Sequence, residues 1–194
     1  MKKIIIILSI LIALAGCSPD QYTLHRRTGN FTYGMIMSDL ESVELIADNA
    51  LLIKPGGLSA IRRPGMTQNV GDFTVELRSG SGIRIAFRTV RYEYKRQPSM
   101  ALDYTRSGCI ISHDGEVVAN IDSVRARMGE PSRIRIINDG KYVKIYIDCD
   151  EVLYTTTRLP ATEYFIFESI DGGEAVISGI EIAEISDESF EEVL

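Results

Sequence analysis

Apolar and polar residues alternate one for one in segment after segment of this chain, and that period of two limits the folds open to it. In Phe73-Thr74-Val75-Glu76-Leu77-Arg78 and in Ile83-Arg84-Ile85-Ala86-Phe87-Arg88 the apolar residues take one side. Arg133-Ile134-Arg135-Ile136 and Tyr142-Val143-Lys144-Ile145-Tyr146-Ile147 repeat the pattern. Successive side chains of an extended strand point to opposite faces, so such a segment buries one face and wets the other. Asn49 to Ile53, Leu58 to Arg62, Met100 to Tyr104, Cys109 to Ser112, Glu151 to Thr156 and Tyr164 to Phe167 are also strand-like. Ser38 to Ala47 reads either way. Ser38 with Glu41 matches a helix capping box, while Leu40, Val43, Leu45 and Ile46 fit neither period.

Turn chemistry joins these runs. Asp114-Gly115 separates Cys109–His113 from Glu116–Asn120, and Asp139-Gly140 separates Arg133–Asn138 from Lys141–Ile147. Asp-Gly between strand-like runs signals a tight hairpin, because the favoured turn needs positive φ at both central residues. With Asp139-Gly140 as the loop, Asn138 pairs with Lys141, Ile136 with Val143 and Ile134 with Ile145. Arg135 then faces Lys144 and Arg133 faces Tyr146 on the other side. Many short strands with closely spaced turns imply a sandwich or barrel.

Four segments carry a resemblance: "ADNALLIKPGGLSAIRR" (47–63), "GDFTVELRSGSGIRIAFRT" (71–89), "PSRIRIINDGKYVKIYIDCDEVLY" (131–154) and "GIEIAEI" (179–185). Over residues 40–186 the succession resembles the concanavalin A-like lectin/glucanase superfamily, including laminin-G-like domains. The resemblance implies an all-β, antiparallel sandwich of jelly-roll type, with glycans or proteins as ligands. The chain departs from the pattern at Cys149, where the family often has glycine, and this leaves the turn type open.

The N-terminus has a different logic. Lys2 and Lys3 precede an apolar run from Ile4 to Leu14, interrupted by Ser9. Spanning a bilayer takes roughly 20 apolar residues, so the run suits a secretory signal instead. Leu14-Ala15-Gly16-Cys17 then resembles the bacterial lipobox, in which the cysteine is diacylated and the chain is cut before it. The expected organisation is a signal peptide over 1–16, lipidated Cys17 and a polar tether to residue 30, a sandwich over 31–186, and an acidic tail over 187–194. Each buried acyl methylene adds about 0.8 kcal/mol, so several chains hold the lipid bilayer without a membrane-spanning helix. Ser18 in place of aspartate favours the outer membrane if the envelope is Gram-negative.

Composition narrows the chemistry. The net charge is −6, and the signal carries two lysines and no acid, so the mature chain is more acidic still. That argues against nucleic acid as a partner. With Cys17 lipidated, Cys109 and Cys149 form an even pair in an oxidising compartment. A disulfide between them would close a loop of roughly 40 residues and contribute about 3–4 kcal/mol. The alternative is two separate thiols.

No Glu-x-Asp-x-x-Glu motif, the paired-carboxylate signature of the superfamily's glucanases, is present, and no catalytic residue is assigned. Asp148-Cys149-Asp150-Glu151 comes nearest but falls at an expected turn. A structural calcium is the one metal such oxygens suggest, and nothing in the sequence requires it. His25 and His113 sit in no nucleophile motif, and no zinc spacing, phosphate loop or dinucleotide fingerprint appears.

One concentration stands out on so acidic a chain. Arg84, Arg88, Arg133, Arg135 and Lys144, with Tyr142 and Tyr146, occupy polar positions of the alternating strands. Arg91, Tyr92, Tyr94, Lys95 and Arg96 follow in a loop. Arginine grips anions in a fork and tyrosine offers a flat stacking surface, which suits an acidic or hydroxyl-rich glycan. Like charges directly opposite on paired strands are destabilising, so acids such as Glu76 or Glu181 are expected to compensate otherwise. The resulting expectation is a lipid-anchored, non-catalytic module that binds a glycan or an envelope protein. The alternatives are a carbohydrate-active enzyme with an unrecognised carboxylate pair and a structural subunit of an envelope assembly.

Overall fold

In a computed structural model of the chain, described for residues 35–37, 41–47, 49–63, 65, 68–90, 95 and 97–185, the strands form two antiparallel sheets with no α-helix. The strands are β1 (Met35–Met37), β2 (Val43–Ala47), β3 (Ala50–Ile53), β4 (Leu58–Arg62), β5 (Asn69–Ser79), β6 (Gly82–Phe87) and β7 (Met100–Thr105). They continue with β8 (Cys109–His113), β9 (Glu116–Ile121), β10 (Pro131–Asp139), β11 (Tyr142–Ile147), β12 (Asp150–Thr156), β13 (Tyr164–Ile170) and β14 (Glu174–Glu184). Sheet I runs β1-β4-β13-β6-β7-β8-β9 and sheet II runs β12-β11-β10-β5-β14-β3-β2. The fold is an all-β jelly-roll sandwich. Within the ambiguous stretch Ser38 to Ala47, Val43–Ala47 is strand β2 and residues 41–42 are a turn; residues 38–40 lie outside the described residues. Cys17, the tether and the acidic tail lie outside them as well.

Alternation builds the interior. Ile83, Ile85 and Phe87 of β6 and Phe165 and Phe167 of β13 face Phe73, Val75 and Leu77 of β5 and Ile134 and Ile136 of β10 in one continuous core. Phe73 is its hub, edge-on to Phe167 at 5.0 Å and to Phe165 at 6.3 Å. Each such side chain contributes about 1.5–3 kcal/mol on leaving water. Gly71 leaves room for this packing, because a Cβ there would come within 2.6 Å of the Phe165 ring. Each sheet also buries a small cluster on its outer face: Ala60, Ala86, Ala101 and Ile166 on sheet I, and Val70, Ile137, Tyr146 and Ile185 on sheet II.

The Asp114-Gly115 turn forms as expected, with φ of 52° and 83° and His113 paired with Glu116. The β10–β11 register differs from expectation by two residues. Asp139 pairs with Tyr142, Ile136 with Ile145 and Arg135 with Tyr146. The two-residue loop is Gly140-Lys141, with Gly140 at φ 39° in the first central position, as a type II′ turn requires. The anticipated clash of Arg135 with Lys144 therefore does not arise. At the next hairpin Asp148 and Cys149 take φ of 51° and 77°. Cys149 thus adopts the left-handed conformation usually given to glycine, at a cost of about 1–2 kcal/mol.

The expected Cys109–Cys149 disulfide does not form. Cys109 is a free thiol, fully buried on β8 of sheet I, whereas Cys149 sits at the β11–β12 turn of sheet II. Burial pushes the Cys109 thiol up to about 12, and the nearby charge of Asp103 adds to the shift.

Candidate functional site

The outer face of sheet II gathers five of the seven strand-associated residues that the sequence singled out. Of the loop that follows β6, Arg91, Tyr92, Tyr94 and Arg96 lie outside the described residues, and Lys95 pairs with Glu168 of β13. Val143, Ile145 and Ile147 point inward from β11, so Tyr142, Lys144 and Tyr146 point outward. On β10, Ile134 and Ile136 point inward, leaving Arg133 and Arg135 outside. The β11–β12 register adds a residue that the sequence reading missed: Tyr154 of β12 lies opposite Lys144, and Thr156 lies opposite Tyr142.

Tyr142 and Tyr154 form a platform at the edge of the sheet. Their ring centroids are 5.9 Å apart and their planes 34° from parallel, with 41% and 57% of the residues exposed. The Lys144 ammonium lies 5.2 Å from the centre of the Tyr154 ring, a cation–π contact that fixes the ring and leaves a positive charge beside it. Tyr146 plays a different part. Its ring is buried with Val70, Ile137 and Ile185, and its hydroxyl donates to Glu151 at 3.1 Å.

Farther along the face, Arg133 grips both carboxylate oxygens of Asp72 at 2.8 and 2.7 Å, and Arg135 donates twice to Oδ2 at 2.9 and 2.5 Å. Burial alone would raise the Asp72 carboxyl, but the two guanidinium groups outweigh it and hold it below the usual carboxylate range. Glu181, opposite Asp72 on β14, adds to the attraction on Arg133, as expected, but the acid in direct contact with both arginines is Asp72. Extending the alternation of β5 by one residue toward its start would have found it, since Asp72 shares its face with Thr74 and Glu76.

The other two strand-associated residues lie elsewhere. Arg84 is on the outer face of sheet I, in a two-pronged ion pair with Asp103 at 2.5 Å for each contact. Arg88 follows β6 and turns into the interior, 1% exposed, with φ of 54°. Its guanidinium donates to the carbonyls of Gly140 at 2.9 Å, Tyr142 at 2.8 Å and Leu159, and to Asn138 Oδ1 at 3.3 Å. Desolvation lowers it to about 10, with Asp139 acting in the opposite sense.

Arg88 thereby pins the β10–β11 turn to the loop after β12, and a cavity of about 680 Å³ opens between them. Tyr142 lines this cavity together with His113, Lys141, Thr157 and Arg158. A second cavity of about 280 Å³ lies by Tyr104, Arg125, Arg127, Asp148 and Asp150. Asp148 there accepts a hydrogen bond from the Arg133 amide at 2.8 Å. Among the described residues, no three His, Cys, Asp or Glu side chains converge as metal ligands.

Comparisons with known proteins bear on both ends of the chain. Residues 1–18 match the prokaryotic membrane lipoprotein lipid attachment site. This is a bacterial lipoprotein anchored to a membrane. No curated protein matches the chain at the level of sequence. Among solved structures, carbohydrate-binding module CBM66 from Bacillus subtilis superposes with a TM-score of 0.61 at 12% identity, covering 78% of this chain and 96% of its own. A Bacillus subtilis protein with a galectin-like fold gives 0.58 at 13% identity, covering 77% and 88%. The exoplasmic/lumenal domain of VIP36 in its metal-free form gives 0.56 at 10% identity, covering 80% and 86%. The domain has a concanavalin A-like fold. At these identities the likeness concerns architecture, and the chemistry of the site has to be argued from its own residues.

Proposed function

We propose that this lipoprotein is a non-catalytic glycan-binding module whose site is the outer face of sheet II. The observation that carries the reading is the exposed Tyr142–Tyr154 platform with Lys144 beside it. Sugar rings present apolar C–H faces flanked by hydroxyls. A flat aromatic surface with polar side chains at its margin suits both parts. The platform's geometry is largely prearranged by sheet pairing and the Lys144 contact, so little ordering cost falls on binding. In the Arg133–Asp72–Arg135 cluster farther along the same face, the exposed side chain of Arg133 offers donors to hydroxyl groups. Lipid at Cys17 would keep this face at the envelope, with Ser18 favouring the outer membrane of a two-membrane cell.

Binding of the mature lipoprotein, held in detergent, to an array of neutral and acidic oligosaccharides tests the reading. The expected result is binding that Tyr142→Ala/Tyr154→Ala weakens by about 10- to 100-fold, the scale of one or two lost stacking contacts. A silent array, or a double variant that binds as well as wild type, contradicts it.

A further inference from the structure

We infer that the cavity beside the platform is a subsite for a carboxylate, so that the preferred ligand is a glycan containing uronic acid. The inference rests on the glycan-binding reading and adds the charge class of the ligand. Tyr142 links the two regions, because its ring forms part of the platform and the residue also lines the cavity. Two cationic side chains, Lys141 and Arg158, line the cavity beside His113, and no carboxylate is among the described residues lining it. That imbalance occurs on a protein of net charge −6. A volume of about 680 Å³ lies within the usual range of small-molecule sites.

The walls are built rather than incidental. Buried Arg88 holds the carbonyls of Gly140, Tyr142 and Leu159, all three of them lining residues. On the rim, the Thr157 amide donates to the Lys141 carbonyl at 2.9 Å, and the Thr157 hydroxyl bonds His113 Nε2 at 2.8 Å. Arg88 donates to neutral oxygens, and the nearby Asp139 carboxylate offsets part of its charge. A planar carboxylate is the natural partner for the Arg158 fork, with Lys141 as a neighbouring point charge.

The test compares oligogalacturonate with its methyl ester, which has the same ring and no charge, by titration calorimetry on the mature lipoprotein in detergent. Wild type is expected to bind the acid form about tenfold tighter, the factor one charge-assisted contact supplies. Lys141→Met/Arg158→Met should bring the two affinities together, and Lys141→Arg/Arg158→Lys, which keeps both charges, should retain the preference. Unchanged melting temperatures show that both variants fold. Equal affinities for the two forms in wild type, no binding of the acid form, or a preference that survives Lys141→Met/Arg158→Met overturns the inference. In any of those cases binding of other oligosaccharides on the array leaves the glycan reading standing, and a silent array removes both.

Discussion

Asp72 shows how a single carboxylate organises this surface. It sits between two guanidinium groups with only 9% of its side chain exposed, and its proton affinity is depressed in the fold. A depressed carboxyl stabilises the folded state above its unfolded value of about 4, and that contribution fades as pH falls through the lower folded value. Asp72→Asn should therefore cost about 2–3 kcal/mol at pH 7, the scale expected when two arginines lose a partly buried partner. The gap to wild type should narrow at a second, acid pH below the depressed folded value, where Asp72 itself takes up a proton. Urea unfolding at the two pH values measures both terms, and a gap that does not change with pH contradicts the assignment.

Cys109 gives a second residue-scale expectation. Its thiol is buried and pushed up to about 12, so it should resist a disulfide-exchange reagent in the native protein and react once urea opens the core. Peptide mapping by mass spectrometry reads this directly, and rapid native labelling of Cys109 would show that the interior is open. The cysteine count raised a disulfide because it carries no information on where each residue falls in the fold, Cys109 in the core on β8 and Cys149 at the β11–β12 turn.

At the scale of elements, period-two patterning located the strands well and their pairing less well, for a definite reason. A slip of two residues between β10 and β11 leaves every side chain on its original face. The hydrophobic pattern is therefore blind to the difference between the expected register and the observed one. Gly140 decides it, by taking the first central position of the turn. The irregular pairing of β12, shifted between Ile145 and Tyr146, also hid Tyr154 from a reading by alternation.

Arg84 and Arg88 looked like members of the same basic group because strand order is not written in the sequence, and β6 belongs to sheet I. Packing between elements supplies another prediction. Gly71→Ala places a methyl against the Phe165 ring and should destabilise by about 1–3 kcal/mol, the range for overpacking a core. Thermal unfolding checks it, and an unchanged melting temperature would mean that β5 and β13 are not packed as described.

Over the whole molecule, a lipid anchor and a two-layered sandwich divide the work. Burial of the inner faces makes the domain rigid, and the outer faces are left to specialise. Sheet I covers its outer face with Ala60, Ala86, Ala101 and Ile166, the Arg84–Asp103 pair and Tyr164 under Arg62, whereas sheet II carries an exposed aromatic pair, a basic cluster and an adjoining cavity. Whether recognition happens on sheet II is decided by a crystal structure of the protein with an oligosaccharide selected from the array. A sugar ring stacked on Tyr142 and Tyr154 beside Lys144 is the expected result. A ligand seated instead over Arg84 and Asp103 on sheet I, with the tyrosine platform bare, would contradict it.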